Sequence, residues 1–118
     1  MTIRLGMVTF DTTDALSLGA WWAEQTGGSV VAENDGWFVM VHAAEGSPML
    51  GFQKVEDPTP GKNRVHLDLT SPDLDAEVAR LVGAGATQLA DQSIEGSDFR
   101  WVTLSDPDGN VFCVSGAH

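Results

Sequence analysis

Two β-α-β-β-β modules in tandem, an α+β fold, are what this sequence predicts, on three observations. Residues 63–82, NRVHLDLTSPDLDAEVARLV, alternate as a strand, break at Ser71-Pro72 and then switch to helical spacing. The same pattern occurs earlier. Met7-Val8-Thr9-Phe10, three residues and Asp14-Ala15-Leu16 line up with His66-Leu67-Asp68-Leu69, three residues and Asp73-Leu74-Asp75, at an offset of 59, half of the 118 residues. The only linker-like stretch, Glu56 to Lys62 (EDPTPGK), falls between the copies. An internal repeat of this kind fixes the architecture more firmly than any single motif. It makes the chain one domain of two modules, about residues 1–56 and 62–118.

Each element follows from local pattern. Arg4 to Asp11 alternates as a first strand, with Gly6, Val8 and Phe10 on one face and Leu5, Met7 and Thr9 on the other. Thr12 or Thr13 is the expected cap of a helix from about Asp14 to Thr26, which Gly27-Gly28 terminates. Ala15, Leu18 and Trp22 form its apolar stripe, broadened by Trp21. Ser29 to Glu33, Trp37 to Ala43 and Met49 to Val55 read as strands, the first two joined by a hairpin turn at Asn34-Asp35-Gly36.

The second module repeats the order. Ser71 is the expected N-cap and Pro72 the first residue of a helix whose stripe is Leu74, Val78, Leu81 and Val82. Gly83-Ala84-Gly85 ends it. Thr87 to Asp91, Phe99 to Ser105 and Val111 to Ser115 are the expected strands, with a tight turn at Asp106-Pro107-Asp108-Gly109-Asn110.

Composition narrows the function. Seventeen acidic residues against six basic give a net charge of -11, which disfavours nucleic acid and anionic membranes as partners. No apolar run approaches the roughly 20 residues of a membrane span. The first residues lack the basic region and cleavage site of a signal peptide, and a lone cysteine, Cys113, fits a reducing cytoplasm.

The chemistry concentrates on one strand face. Arg64, His66 and Asp68 lie opposite Val65, Leu67 and Leu69, on the side turned away from the helix. An aspartate that orients an imidazole is how general bases are built, so His66 and Asp68 are the catalytic candidates. A lone strand histidine is more often a hydrogen-bonded structural group, and an Arg64–Asp68 pair across it would simply stiffen the sheet. Structure or ligand positioning ranks ahead of catalysis. Trp37 and Trp101, each on an inner hairpin strand, are the candidates to line an apolar pocket and hold an aromatic or cationic guest, although core packing is the commoner role. Cys113 in Val-Phe-Cys-Val reads as a small core residue before it reads as a nucleophile.

Together, the paired modules, the His66-Leu67-Asp68-Leu69 strand and the Trp101-Val102-Thr103-Leu104-Ser105-Asp106-Pro107-Asp108-Gly109-Asn110 run resemble the vicinal-oxygen-chelate superfamily of glyoxalases, bleomycin-resistance proteins and extradiol dioxygenases. Within it the chain looks most like glyoxalase-like domain proteins, a likeness carried by Gly61 to Leu69. The resemblance implies that each module curls its mixed sheet into half a cup with its helix outside, the two enclosing a cavity. It implies four metal-ligand positions, which fall here on Met7, Gln53, His66 and Cys113. It also implies a homodimer.

A thioether at Met7 binds divalent ions very weakly, and a Met-Gln-His-Cys set matches no common mononuclear centre. The expected function is therefore binding of a small organic molecule in the cup, without a resident metal and with no other cofactor. Met7, Trp37, Gln53, Arg64, His66, Trp101 and Cys113 would surround the ligand. The alternative is a metal-dependent lyase, isomerase or dioxygenase of glyoxalase type using His66 and Gln53 as ligands of a divalent ion.

Overall fold

In each half of the chain a hydroxyl and a carboxylate hand the first strand over to the helix. β1 (Met7–Thr12) ends with Thr12 Oγ1 accepting from the Asp14 amide at 3.1 Å, and Asp14 Oδ1 accepts from the Ser17 amide at 3.1 Å to cap α1 (Ala15–Thr26). β5 (Leu67–Ser71) ends with Ser71 Oγ accepting from the Asp73 amide at 3.3 Å, and Asp73 Oδ1 accepts from the Ala76 amide at 3.2 Å to cap α2 (Leu74–Gly83). The cap is thus the aspartate, not Thr12, Thr13 or Ser71 as expected from sequence. The hydroxyl still matters, because it fixes the amide of the capping residue. Pro72 accordingly lies before the helix rather than in its first turn.

The computed structural model describes residues 5–61, 66–93 and 95–116, and the chain divides into two compact units, Met1–Pro60 and Gly61–His118. In the first, β2 (Ser29–Ala32), β3 (Phe38–His42) and β4 (Met49–Lys54) join β1 in the order β1-β4-β3-β2. β1 runs parallel to β4, and the remaining pairs are antiparallel. In the second, β6 (Thr87–Ser93), β7 (Arg100–Ser105) and β8 (Val111–Gly116) give β5-β8-β7-β6, again with one parallel pair, β5 with β8. Each unit is therefore a β-α-β-β-β module with a mixed four-stranded sheet and one helix. The α+β fold of tandem modules is the one the repeat predicts.

Each helix covers one sheet face. Ala15, Leu18, Gly19, Trp22 and Ala23 are buried on α1, as are Val39, Val41, Leu50 and Phe52 on the strands below. The Phe10 ring stacks on Phe52 at 5.0 Å and tilts against Trp22 at 5.7 Å. On α2 only Val78 and Leu81 are buried; Leu74 is half-buried and Val82 exposed, so this stripe is narrower than its spacing suggests. Arg100 fastens that unit from outside, bonding Asp75 of α2 at 2.5 Å and Asp91 of β6 at 2.9 Å. The guanidinium beside Asp75 holds its carboxyl below the usual carboxylate range.

The connections depart from expectation in one place. Asn34-Asp35-Gly36 does join β2 to the antiparallel β3 with positive φ, at 47°, 55° and 83°, but as a 3-10 turn within a longer connection. Pairing between β2 and β3 resumes only from Ala32 to Met40, and Asn34 Nδ2 spans the loop to the Phe38 carbonyl at 2.8 Å. Trp37 therefore precedes β3 instead of belonging to it.

The Asp106–Asn110 turn is held by a buried carboxylate. Asp106 is 3% exposed; its Oδ1 accepts from the Asp108 and Asn110 amides at 2.9 Å, and its Oδ2 accepts from Asn110 Nδ2 at 2.9 Å. Removing that acceptor strands several donors between β7 and β8. Asp106→Ala should therefore lower stability by about 2 kcal/mol in urea denaturation. A loss below half of that would mean water replaces the carboxylate without penalty.

Candidate functional site

Alternation sorts the second sheet into two chemistries. Leu67, Val102, Leu104, Phe112 and Val114 point to the helix side, where all but half-buried Leu67 are buried. Asp68, Trp101, Thr103, Cys113 and Ser115 alternate with them and, with His66, Gln92 and Phe99, line a hollow of about 500 Å³. The Phe99 and Trp101 rings sit 5.5 Å apart at 34°, a tilted apolar wall. Opposite in character, His66 Nδ1 lies 3.3 Å from Asp68 Oδ1. The 7 Å spacing of alternate strand residues (roughly) did not guarantee this contact, but the side chains turn toward one another. His66 and Asp68 remain open to solvent, 42% and 74% exposed at the side chain.

Cys113 joins them from the neighbouring strand, because β8 pairs with β5 in the register Asp68↔Cys113. One ligand atom each from His66, Asp68 and Cys113 falls within 4.8 Å of the others. On its far side Cys113 Sγ lies 3.5 Å from Thr103 Oγ1, so it is a half-buried hydrogen-bonded thiol rather than a core residue sealed among apolar groups. Of the residues singled out in the sequence, the second unit thus gathers His66, Asp68, Trp101 and Cys113. Arg64 lies outside the described residues.

The other three belong to the first unit. Met7 is half-buried on β1, and Gln53 is exposed on β4, paired with Asp11 and Phe38. Trp37 is 65% exposed, with Lys54 Nζ 5.2 Å from its ring centroid, a cation-π contact of its own.

The registers also test the four ligand positions implied by the resemblance. Met7 corresponds to His66 in the repeat, so Thr9 corresponds to Asp68. The β4 residue opposite Thr9 is Gly51, as the β8 residue opposite Asp68 is Cys113. The counterpart of Cys113 is therefore Gly51, and Gln53 matches Ser115. A side chain at Gly51 would meet Met7 Sδ at 2.7 Å, Phe38 Cζ at 2.9 Å and Thr9 Oγ1 at 3.1 Å. The place that a ligand would occupy in the first unit is filled by a thioether, a ring and a hydroxyl. A four-ligand centre with two donors from each unit does not fit these residues.

Phe99 and Thr103 share the Trp101 face by alternation along the expected Phe99 to Ser105 strand, whereas Gln92, Ser115 and the role of Gly51 were not anticipated. Alternation from Trp101 and Cys113 could have found Ser115. Gln92 had no such signal, because its strand extends beyond the expected Asp91 to Ser93.

No curated protein matches the chain. Among solved structures, it is similar to the genomically encoded fosfomycin resistance protein FosX from Listeria monocytogenes, with a TM-score of 0.81 at 12% identity over 100% of this chain and 96% of that one. It is similar to a glyoxalase/bleomycin resistance protein/dioxygenase family enzyme from Burkholderia phytofirmans PsJN, with a TM-score of 0.75 at 18% identity over 98% and 100%. It is also similar to TnmS3, an antibiotic binding protein from Streptomyces sp. CB03234, with a TM-score of 0.71 at 22% identity over 99% and 98%. At such identities the likeness is one of fold. The family model described as Glyoxalase-like domain matches residues 7–115, spanning both modules from β1 to the last strand, and the chain belongs to that family.

Proposed function

We propose that the protein binds a small organic molecule on the open sheet face of its second unit. The hollow of about 500 Å³ is of the size that takes such ligands, commonly 300–1,000 Å³ (roughly). One observation carries the reading: an aromatic pair, Phe99 and Trp101, faces the same hollow as the His66–Asp68 couple. Such a site stacks a planar group on one side and hydrogen-bonds or charge-pairs a polar group on the other. With a chain charge of -11, the favoured guest is neutral or cationic. Stacking and hydrogen bonding of this kind need no resident ion. That TnmS3 is an antibiotic binding protein supports a ligand of drug size. The same reading makes the protein a homodimer, as its resemblance implies, the two modules one working domain, as length and repeat suggest, and its location cytoplasmic, as the lone cysteine suggests.

Tryptophan fluorescence tests it. Titration with a panel of cationic glycopeptides and planar aromatic metabolites should give saturable quenching by at least one class, and Trp101→Ala should weaken that binding about tenfold or more. Silence across the panel, or equal affinity in Trp101→Ala, would end this reading.

The 3.3 Å contact between His66 and Asp68 favours a second reading, an acid-base enzyme of lyase or isomerase type. The carboxylate would orient the imidazole and stabilise its protonated form. His66→Gln would then abolish turnover while leaving the far-ultraviolet circular dichroism unchanged.

A further inference from the structure

We infer that Cys113 is a covalent anchor for electrophilic guests of the hollow, a thiol that adds to a planar conjugated carbonyl compound with His66 as its proton acceptor. The inference rests on ligand binding by the hollow and adds a bond-forming step to it. β8 runs between β5 and β7, so Cys113 has Asp68 opposite it on one side and Thr103 on the other. Its thiol is half-buried, lines the hollow and lies 3.5 Å from Thr103 Oγ1, a hydroxyl that can donate to the sulfur as the proton leaves. His66, held by Asp68 at 3.3 Å, brings a ring nitrogen within 4.8 Å of the sulfur. Cys113 is thus one member of a nucleophile, base and orienting carboxylate set, a set whose contacts are commonly loose until a guest is bound.

The aromatic wall supplies the other half of the chemistry. Trp101 stands two residues before Thr103 on β7, so its ring rises from the sheet about 7 Å along from the row that holds the sulfur. A flat guest stacked on Trp101 and Phe99 carries its edge over Cys113 and turns a carbonyl oxygen toward His66. The step then balances without an outside oxidant or reductant. The thiol proton passes to His66, and the sulfur bonds the carbon β to the carbonyl. The electron pair of the broken C=C bond moves to the carbonyl oxygen, which takes the proton back from His66. Asp68 stabilises the imidazolium between the two transfers. With a quinone, movement of the ring proton from the new C–S carbon to the second oxygen completes a hydroquinone thioether. Neutral guests of this class meet no repulsion from the chain charge of -11. In the first unit Gly51 answers to Cys113, so capture is confined to the second.

Reaction of the reduced full chain with para-naphthoquinone, followed by intact-protein mass spectrometry, tests the inference. The expected result is a gain of one quinone mass, mapped to Cys113, the sole cysteine. Its rate should saturate with quinone concentration and exceed that of free N-acetylcysteine about tenfold or more. Trp101→Ala should raise the half-saturating concentration about tenfold. His66→Gln should lower the limiting rate about tenfold or more, with circular dichroism confirming that both variants fold. The inference is overturned by a rate that rises linearly with quinone, by one no faster than N-acetylcysteine, or by an unaltered limiting rate in His66→Gln. Saturable tryptophan quenching by the quinone without a gain in mass overturns it as well, while leaving the binding reading in place. Neither quenching nor adduct overturns capture, and the panel titration then decides binding separately.

Discussion

Phe112→Ala should lower the stability of the protein by about 3–5 kcal/mol, a large share of the 5–15 kcal/mol (roughly) that holds a domain folded. Phe112 is 1% exposed and sits on β8 between Val111 and Cys113, paired with Leu67 on one side and Leu104 on the other. Its ring faces the helix side of the sheet, where Val102, Leu104 and Val114 are also buried. α2 contributes only Val78 and Leu81 to its buried surface, so few neighbours can close over the space the ring leaves. A cavity there is costly, because a partly relaxed void adds to the lost transfer energy. The same strand presents Cys113 to the opposite face, so a loosened β8 also disturbs the register that sets Cys113 against Asp68. Urea denaturation measures the first effect, with Leu89→Ala on exposed β6 as the control expected to stay within about 0.5 kcal/mol. A Phe112→Ala loss under about 1 kcal/mol would mean the second core is not organised around this ring.

The fold was legible because the repeat is carried by residues with obligatory roles. Thr12 and Ser71, Asp14 and Asp73, and the alternating apolar positions of the first strand in each module recur at one offset. What sequence alone misassigned was local competition. Thr12, Asp14, Ser71 and Asp73 are all good capping residues, and only coordinates show that each hydroxyl serves the aspartate rather than the helix. Asn34-Asp35-Gly36 turns the chain between β2 and β3 with the positive φ its residues favour, and only the length of the connection, from Ala32 to Met40, was not readable from them.

The site was half legible. Period-two alternation put His66 and Asp68 on one face, and Trp101 with Phe99 and Thr103 on another strand's face. Which strand lies beside which is a property of topology, so the approach of Cys113 to Asp68 was invisible until β5 and β8 were seen to pair. The same register moves the counterpart of Cys113 from Gln53 to Gly51, a difference of two residues that keeps the sheet face but removes the donor. A metal argument built on ligand identity alone saw a mismatched set. Register shows instead a donorless glycine, with its surroundings filled, in the first unit and a carboxylate beside the thiol in the second.

Gly28→Ala should destabilise the protein by about 3 kcal/mol, and by more than Gly27→Ala, although Gly27 is the residue with the left-handed backbone. Gly27 ends α1 at φ 69°, with its amide and that of Gly28 capping the last turn; the Gly28 amide donates to the Ala23 carbonyl at 2.9 Å. A methyl on Gly27 would meet nothing within 4 Å, so its cost is the left-handed conformation itself, about 1 kcal/mol. A methyl on Gly28 would stand 2.1 Å from the His42 carbonyl oxygen and 2.8 Å from both the Ala43 Cα and its carbonyl oxygen. Those are backbone atoms at the end of β3, which cannot rotate aside as a side chain could, so the chain must shift or the strand end must open. The reduced freedom of alanine in the unfolded chain offsets no more than about 1 kcal/mol of this. Equilibrium denaturation of the two variants side by side, with unchanged slopes, gives the comparison. If Gly27→Ala proves the costlier, then backbone handedness sets the exit of α1 and the contact with β3 does not.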